Sequence, residues 1–82
     1  MTIYISHSRQ IDYQKELYRP LRNSALAKNH IFIFPHEESG EVYDTKELFA
    51  TKQCDLIIAE VSEPATGQGI ELGWADVFGI PI

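Results

Sequence analysis

Little in this chain could act as a staple, an anchor or a basic grip. Its single cysteine, Cys54, leaves no intrachain disulfide to form and makes no metal-type spacing with the three histidines. Lys and Arg number 7 against 12 Asp and Glu, a formal net charge of −5. That argues against a nucleic-acid partner, which would call for a basic face. A small phosphorylated ligand stays allowed, because a local nest of backbone amides can hold one. No apolar run approaches the length of a membrane span. No basic segment followed by an apolar run marks a signal peptide. The expectation is a cytoplasmic protein, off the membrane, with no metal or redox cofactor.

What is present fits one small globular domain over residues 1–82. Hydrophobic residues make up 44% and charged residues 23% of the chain, ordinary values for that class. Thr2 to Ser6, TIYIS, is a β-rich run beginning at once, so it reads as a central first strand. From Asp12 the residues Tyr13, Leu17 and Leu21 recur every four positions, a helical stripe. Pro20 cannot sit inside that helix, which predicts a kink or a break into a second short helix. His30 to Phe34, HIFIF, is the second strand, and Pro35 ends it.

A polar loop follows over 36–42. Asp44 then reads as an N-cap, with Glu47 three residues on completing a capping-box pair for a short helix from Thr45 to about Lys52. Asp55 begins the third strand. Its run Leu56-Ile57-Ile58-Ala59 is unbroken rather than alternating, as when helices cover both faces. The last helix is expected from about Gly69 to Phe78, with Ile70, Trp74 and Phe78 on one side, Gly73 allowing close approach and Gly79 ending it.

Strands alternating with helices argue for a parallel α/β sheet with right-handed crossovers. The expected fold is a flavodoxin-like three-layer sandwich, strand order 2-1-3-4. Gly79-Ile80-Pro81-Ile82 reads as the start of the fourth strand, so the chain is either cut short or leaves a strand edge to be covered.

That order brings the ends of strands one and three, Ser6 to Arg9 and Glu60 to Gly69, to one crevice, where ligands of open α/β sheets bind. DLIIAEVSEPATGQGIELG, Asp55 to Gly73, supplies a strand, a turn and a helix start. Amides at such a helix start make an anion site. Glu71 is expected in the first helical turn, where the dipole favours an ionised carboxylate. A carboxylate so placed over a sugar suits attack on an anomeric carbon. Each candidate also has a plainer reading. Glu71 suits a helix start, Gly67 and Gly69 a tight turn, Tyr4 a core, Ser8 and Arg9 a polar turn, Glu47 a cap, and Cys54 a small core position. Glu60 stands apart, since an acid closing an apolar strand has to be solvated, hydrogen-bonded or functional.

With those residues in view, DLIIAEVSEPATGQGIELGWA and IYISHS resemble the nucleoside 2-deoxyribosyltransferase-like superfamily, which includes the deoxynucleoside-monophosphate N-glycosidases. The resemblance implies that Glu71 is the nucleophile on the sugar C1′, that Tyr4 stands beside it, and that Ser8 and Arg9 contact phosphate. The family's sugar-orienting aspartate falls on Glu47, and its phosphate-contacting loop serine on Ala65, with Thr66 as the stand-in. Glu60, Thr66, Gly67 and Gly69 complete the expected substrate-binding set. The partner implied is a nucleoside or nucleotide.

Two alternatives stand beside this. The ISHS strand end is also similar to TIR domains, which use a glutamate on the N-glycosidic bond of NAD. The changes at Glu47 and Ala65 suit a non-catalytic nucleotide-binding or assembly module. Trp74, Phe78, Ile80 and Ile82 are more apolar surface than so small a core is expected to cover. With an open sheet edge, they imply a homo-oligomer.

Overall fold

Strand β1, Thr2–Ser6, lies in the middle of a three-stranded sheet in the order β2-β1-β3. The computed structural model describes residues 1–35 and 45–82; the loop expected over 36–42 and the Asp44 cap fall outside them. Both neighbours run parallel to β1: β2, Ile31–Ile33, pairs through Tyr4 with Ile33, and β3, Leu56–Ala59, through Tyr4 with Ile57 and Ser6 with Ala59. The first and third strands match the sequence reading. The second is a residue shorter at each end. A fourth strand is not seen among the described residues. Residues 80–82 lie beside β3 with a backbone bond from Ile57 N–H to the Pro81 carbonyl, 2.9 Å, and that one contact does not make a ladder. The small parallel α/β sheet is therefore as expected, but its order is 2-1-3.

The pleat of β1 sorts its side chains between two cores. Ile3 and Ile5 point to the face covered by Tyr13, Leu17, Tyr18 and Leu21 of the first helical segment. Tyr4 points the other way, toward Phe49, Ile57, Ala75 and Ile80. Burying Phe49 and Ile57 stabilises the fold by roughly 2 kcal/mol apiece.

Instead of the break expected at Pro20, the first helical segment changes its winding just ahead of it. A π-helical turn over Gln14–Tyr18 runs straight into α1, Arg19–Arg22, with Pro20 at its start. Proline lacks an N–H and crowds the carbonyl four residues back, so the turn before it widens. Helix α2, Thr45–Ala50, buries Thr45, Leu48 and Phe49. It stops before the expected Lys52, which takes a left-handed φ of 56°.

Helix α3 spans Thr66–Phe78, opening three residues ahead of the expected Gly69. Its buried line runs through Gln68 and Ala75, with Leu72, Trp74 and Phe78 packed alongside. Ile70 stays 49% exposed, so the expected Ile70-Trp74-Phe78 stripe is corrected. Nor does Gly73 receive a close neighbour: a Cβ there would meet nothing within 4 Å. Gly79 does end the helix, at φ 72°, with Gly79 N–H bonded to Asp76 O and Ile80 N–H to Ala75 O. This pattern satisfies the last carbonyls and needs a residue tolerant of left-handed backbone. It also turns Ile80 into the core, 7% exposed. No helix among the described residues is long and apolar enough to cross a membrane.

Candidate functional site

Beyond the carboxyl ends of β1 and β3 lies a cavity of about 430 Å³. One wall is the turn His7–Gln10; the other is Pro64 to Gln68 with Glu71. Glu60 N–H donates to the Ser6 carbonyl at 2.9 Å and ties the two strand ends together beneath it. The crevice is therefore where the topology of a parallel sheet puts one.

Glu71 lines this cavity half-buried. Three hydroxyls meet its carboxylate: Tyr4 Oη donates to Oε2 in a short bond, Thr45 Oγ1 lies 3.4 Å from the same oxygen, and Ser6 Oγ donates to Oε1 at 3.1 Å. Tyr4 and Ser6 are two apart in β1, so the pleat sends both to one face. Tyr4 is fully buried, edge-on to Phe49 at 5.2 Å between ring centroids. Burial first, and then its hydrogen bond to Glu71, push the Tyr4 phenol well above the usual tyrosine value. Tyr4 thus keeps its proton and acts as a donor.

The electrostatic argument for Glu71 changes with the helix start. Counted from Thr66, Glu71 is the sixth helical residue. That is the second turn, and the dipole's effect fades beyond the first. Hydroxyl donors, rather than the dipole, orient its carboxylate. Gly67 and Gly69 likewise do not form a left-handed turn: Gly79 is the glycine with positive φ among the described residues. They sit in the first turn of α3, and a Cβ at either would meet nothing within 4 Å. The N-cap, Ala65, makes no side-chain cap. The first amides of a helix lack intrahelical partners, and Gly67 leaves backbone uncovered at the cavity wall.

The remaining expected residues divide. Ser8, Arg9, Thr66 and Gly67 line the cavity. Ser8 is buried and its Oγ accepts from Gln10 N–H at 3.1 Å, while Arg9 is exposed. Glu60 is not among the lining residues. Its carboxylate accepts from Ser62 N–H at 2.8 Å and Ser62 Oγ at 2.9 Å. Those bonds, the hydroxyl's first, hold its carboxyl below the usual glutamate range. Glu47 is exposed on α2, and it is Thr45 of the same helix that reaches Glu71, at 3.4 Å. Gly69 follows the lining segment in the first turn of α3, its N–H bonded to Ala65 O at 3.1 Å.

Four residues in or beside the site carry no individual role in the sequence reading, although three of them fall within the stretches expected at the crevice. Ser6 could have been found, because it shares a strand face with Tyr4. Thr45 sat behind the expected Asp44–Glu47 cap. Gln68 is buried and bonds Glu60 O at 2.7 Å, holding α3 to the end of β3. His7 is buried and lines the crevice. Its Nδ1 lies 2.8 Å from the Ser8 carbonyl, which can only accept, so Nδ1 carries a proton. Its Nε2 lies 2.5 Å from Tyr18 Oη. Among the described residues no three His, Cys, Asp or Glu side chains gather as a metal site would need. Compared with protein-family models, curated proteins and solved structures, the chain matches none.

Proposed function

We propose that this chain cleaves or transfers the N-glycosidic bond of a nucleoside or nucleotide, with Glu71 as the nucleophile. The observation that carries this is a carboxylate at the wall of a 430 Å³ crevice, held on one oxygen by the Tyr4 hydroxyl and on the other by Ser6, with Thr45 close behind. A carboxylate aimed this way is oriented by neutral hydroxyl donors. It remains a nucleophile and keeps one geometry.

Glu71 attacks C1′, the bond to the base nitrogen breaks, and its electron pair leaves with the base, which takes a proton from water. The glycosyl ester is then resolved by water or by a second base. Ser8, Arg9, Thr66 and the amides at the start of α3 suit a phosphate or sugar hydroxyl. The parallel sheet with helical segments on both faces supports a flavodoxin-like reading, and the resemblance of the ELG segment supports the chemistry. A cytoplasmic homo-oligomer goes with it. The expected contact shifts, because Ile80 is buried and Trp74 and Phe78 pack against the core, whereas Ile70 and Val77 are exposed on α3.

The test is product analysis by chromatography, with deoxynucleosides, their monophosphates and NAD offered in parallel. Release of free base from either of the first two, lost in Glu71→Gln, is the expected result. Release of nicotinamide alone would favour the TIR-like chemistry, and no release from any would leave a binding module.

A further inference from the structure

We infer that Thr45 is a positioning residue: through Tyr4 it pins Oε2 of Glu71 and leaves Oε1 as the oxygen that attacks. This rests on the nucleophile reading above. Thr45 is 5% exposed and Tyr4 fully buried, so their hydroxyls have no bulk water to turn to. The Tyr4 proton is committed to Glu71 Oε2. A phenol has one proton, so in the 2.9 Å contact between Tyr4 Oη and Thr45 Oγ1 the threonine is the donor. A donor placed on the phenol oxygen makes its O–H more acidic and its bond to the carboxylate stronger, the cooperative effect of a hydrogen-bond chain. The same bond lowers the Tyr4 phenol against the larger upward effect of burial. Thr45 Oγ1 also stands 3.4 Å from Oε2 directly.

The two carboxylate oxygens are therefore unequal. Oε2 takes the short phenol bond and faces the threonine; Oε1 takes the 3.1 Å bond from Ser6. A lone pair engaged by a strong donor is a poor nucleophile, which assigns attack to Oε1. The Oε1–C1′ bond forms as the C1′–N bond breaks. The electron pair leaves on the base nitrogen, which is protonated by water, and Oε2 becomes the ester carbonyl, still held by Tyr4. The sequence places Thr45 at a helix start, where a hydroxyl ordinarily serves as a cap; its burial against Tyr4 gives it another partner.

The test compares Thr45→Val, which keeps the shape and removes the hydroxyl, with Thr45→Ser, which keeps the hydroxyl. On the nucleoside that the wild type turns over, Thr45→Val should lower kcat roughly tenfold, the rate equivalent of one hydrogen bond, with KM unchanged. Thr45→Ser should return kcat to within about twofold, the margin of a few tenths of a kcal/mol. In a Tyr4→Phe background, Thr45→Val should cost less than it does in the wild type, since only the direct 3.4 Å contact to Oε2 is left to lose. Wild-type kcat in Thr45→Val, no rescue by serine, or a full additional loss in the double variant would overturn the relay. Thr45→Ala repeats the comparison should valine disturb the packing.

A second readout needs no turnover. The 13Cζ resonance of Tyr4 and the 13Cδ resonance of Glu71 should both move in Thr45→Val and return in Thr45→Ser. If the wild type shows no N-glycosidic activity, the nucleophile reading fails and takes the assignment of Oε1 with it. The resonances then decide the relay by themselves: unmoved signals overturn it, and shifts restored by serine sustain it.

Discussion

Removing one oxygen, in Tyr4→Phe, separates the hydrogen-bond network from the packing around it. The ring still fills its place against Phe49, at 5.2 Å and edge-on, so no cavity opens. What goes is the donor to Glu71 Oε2 and the acceptor for Thr45 Oγ1. A hydrogen bond to a charged group contributes about 1.5–3 kcal/mol. Part of this is offset, because a buried phenol hydroxyl no longer has to be desolvated. The expected net loss at pH 7 is about 1–2 kcal/mol. For a domain of 82 residues each kcal/mol moves Tm by about 4–8 °C. Urea unfolding followed by circular dichroism should show a lower midpoint at unchanged slope. The same substitution carries a pH signature. The folded value of the Tyr4 phenol is raised, by burial first and Glu71 second, so its share of stability is whole below the ordinary tyrosine value of about 10 and declines as pH rises above it. Wild type should therefore lose stability above that pH more steeply than Tyr4→Phe, by about 1.4 kcal/mol per pH unit for one proton. A Tyr4→Phe protein as stable as wild type at pH 7, with parallel alkaline limbs, would refute the network as a source of stability.

Two further expectations concern the backbone and the strand end. Gly79→Ala should destabilise by about 1 kcal/mol; a Cβ there meets nothing within 4 Å, so the cost is the left-handed φ of 72° alone, and an unchanged Tm would contradict it. Ser62→Ala removes the larger of the two bonds that depress the Glu60 carboxyl. Glu60 should then titrate at a higher pH by NMR. Because its folded value is depressed, the stability it contributes is present above the ordinary glutamate value and lost as pH falls through the folded one, so the variant should lose less on acidification.

How far the chain could be read in advance follows from where local signals suffice. The β1 and β3 runs and the stop at Gly79 each rest on near neighbours in sequence, and each appears where expected; Pro20 instead sits in the first turn of α1, behind a π-helical turn. So does the meeting of Glu71 with the strand-one turn, since a parallel β2-β1-β3 order leaves little choice. The start of α3 was misplaced because nothing local announces it. Ala65 is not a capping residue, and Gly67 and Gly69 are poor helix formers. The first turn is held instead by packing of the later helix and by Gln68 on Glu60 O, 2.7 Å, contacts between distant positions. Thr45 was hidden for the same reason: its partners Tyr4 and Glu71 lie 41 and 26 residues away. The fourth strand is not seen among the described residues: Pro81 accepts one bond from Ile57 but, without an N–H, returns none to β3.

The nucleophile is tested most directly by trapping. A 2-fluoro-2-deoxy nucleoside forms its glycosyl ester and loses it slowly, so intact-protein mass spectrometry should find wild type heavier by one fluorosugar, and peptide mapping should place that mass on Glu71. Glu71→Gln, folded to the same melting temperature, should gain nothing. A label on another residue, an equal label on Glu71→Gln, or release of free base by wild type with no adduct at Glu71 would contradict the account.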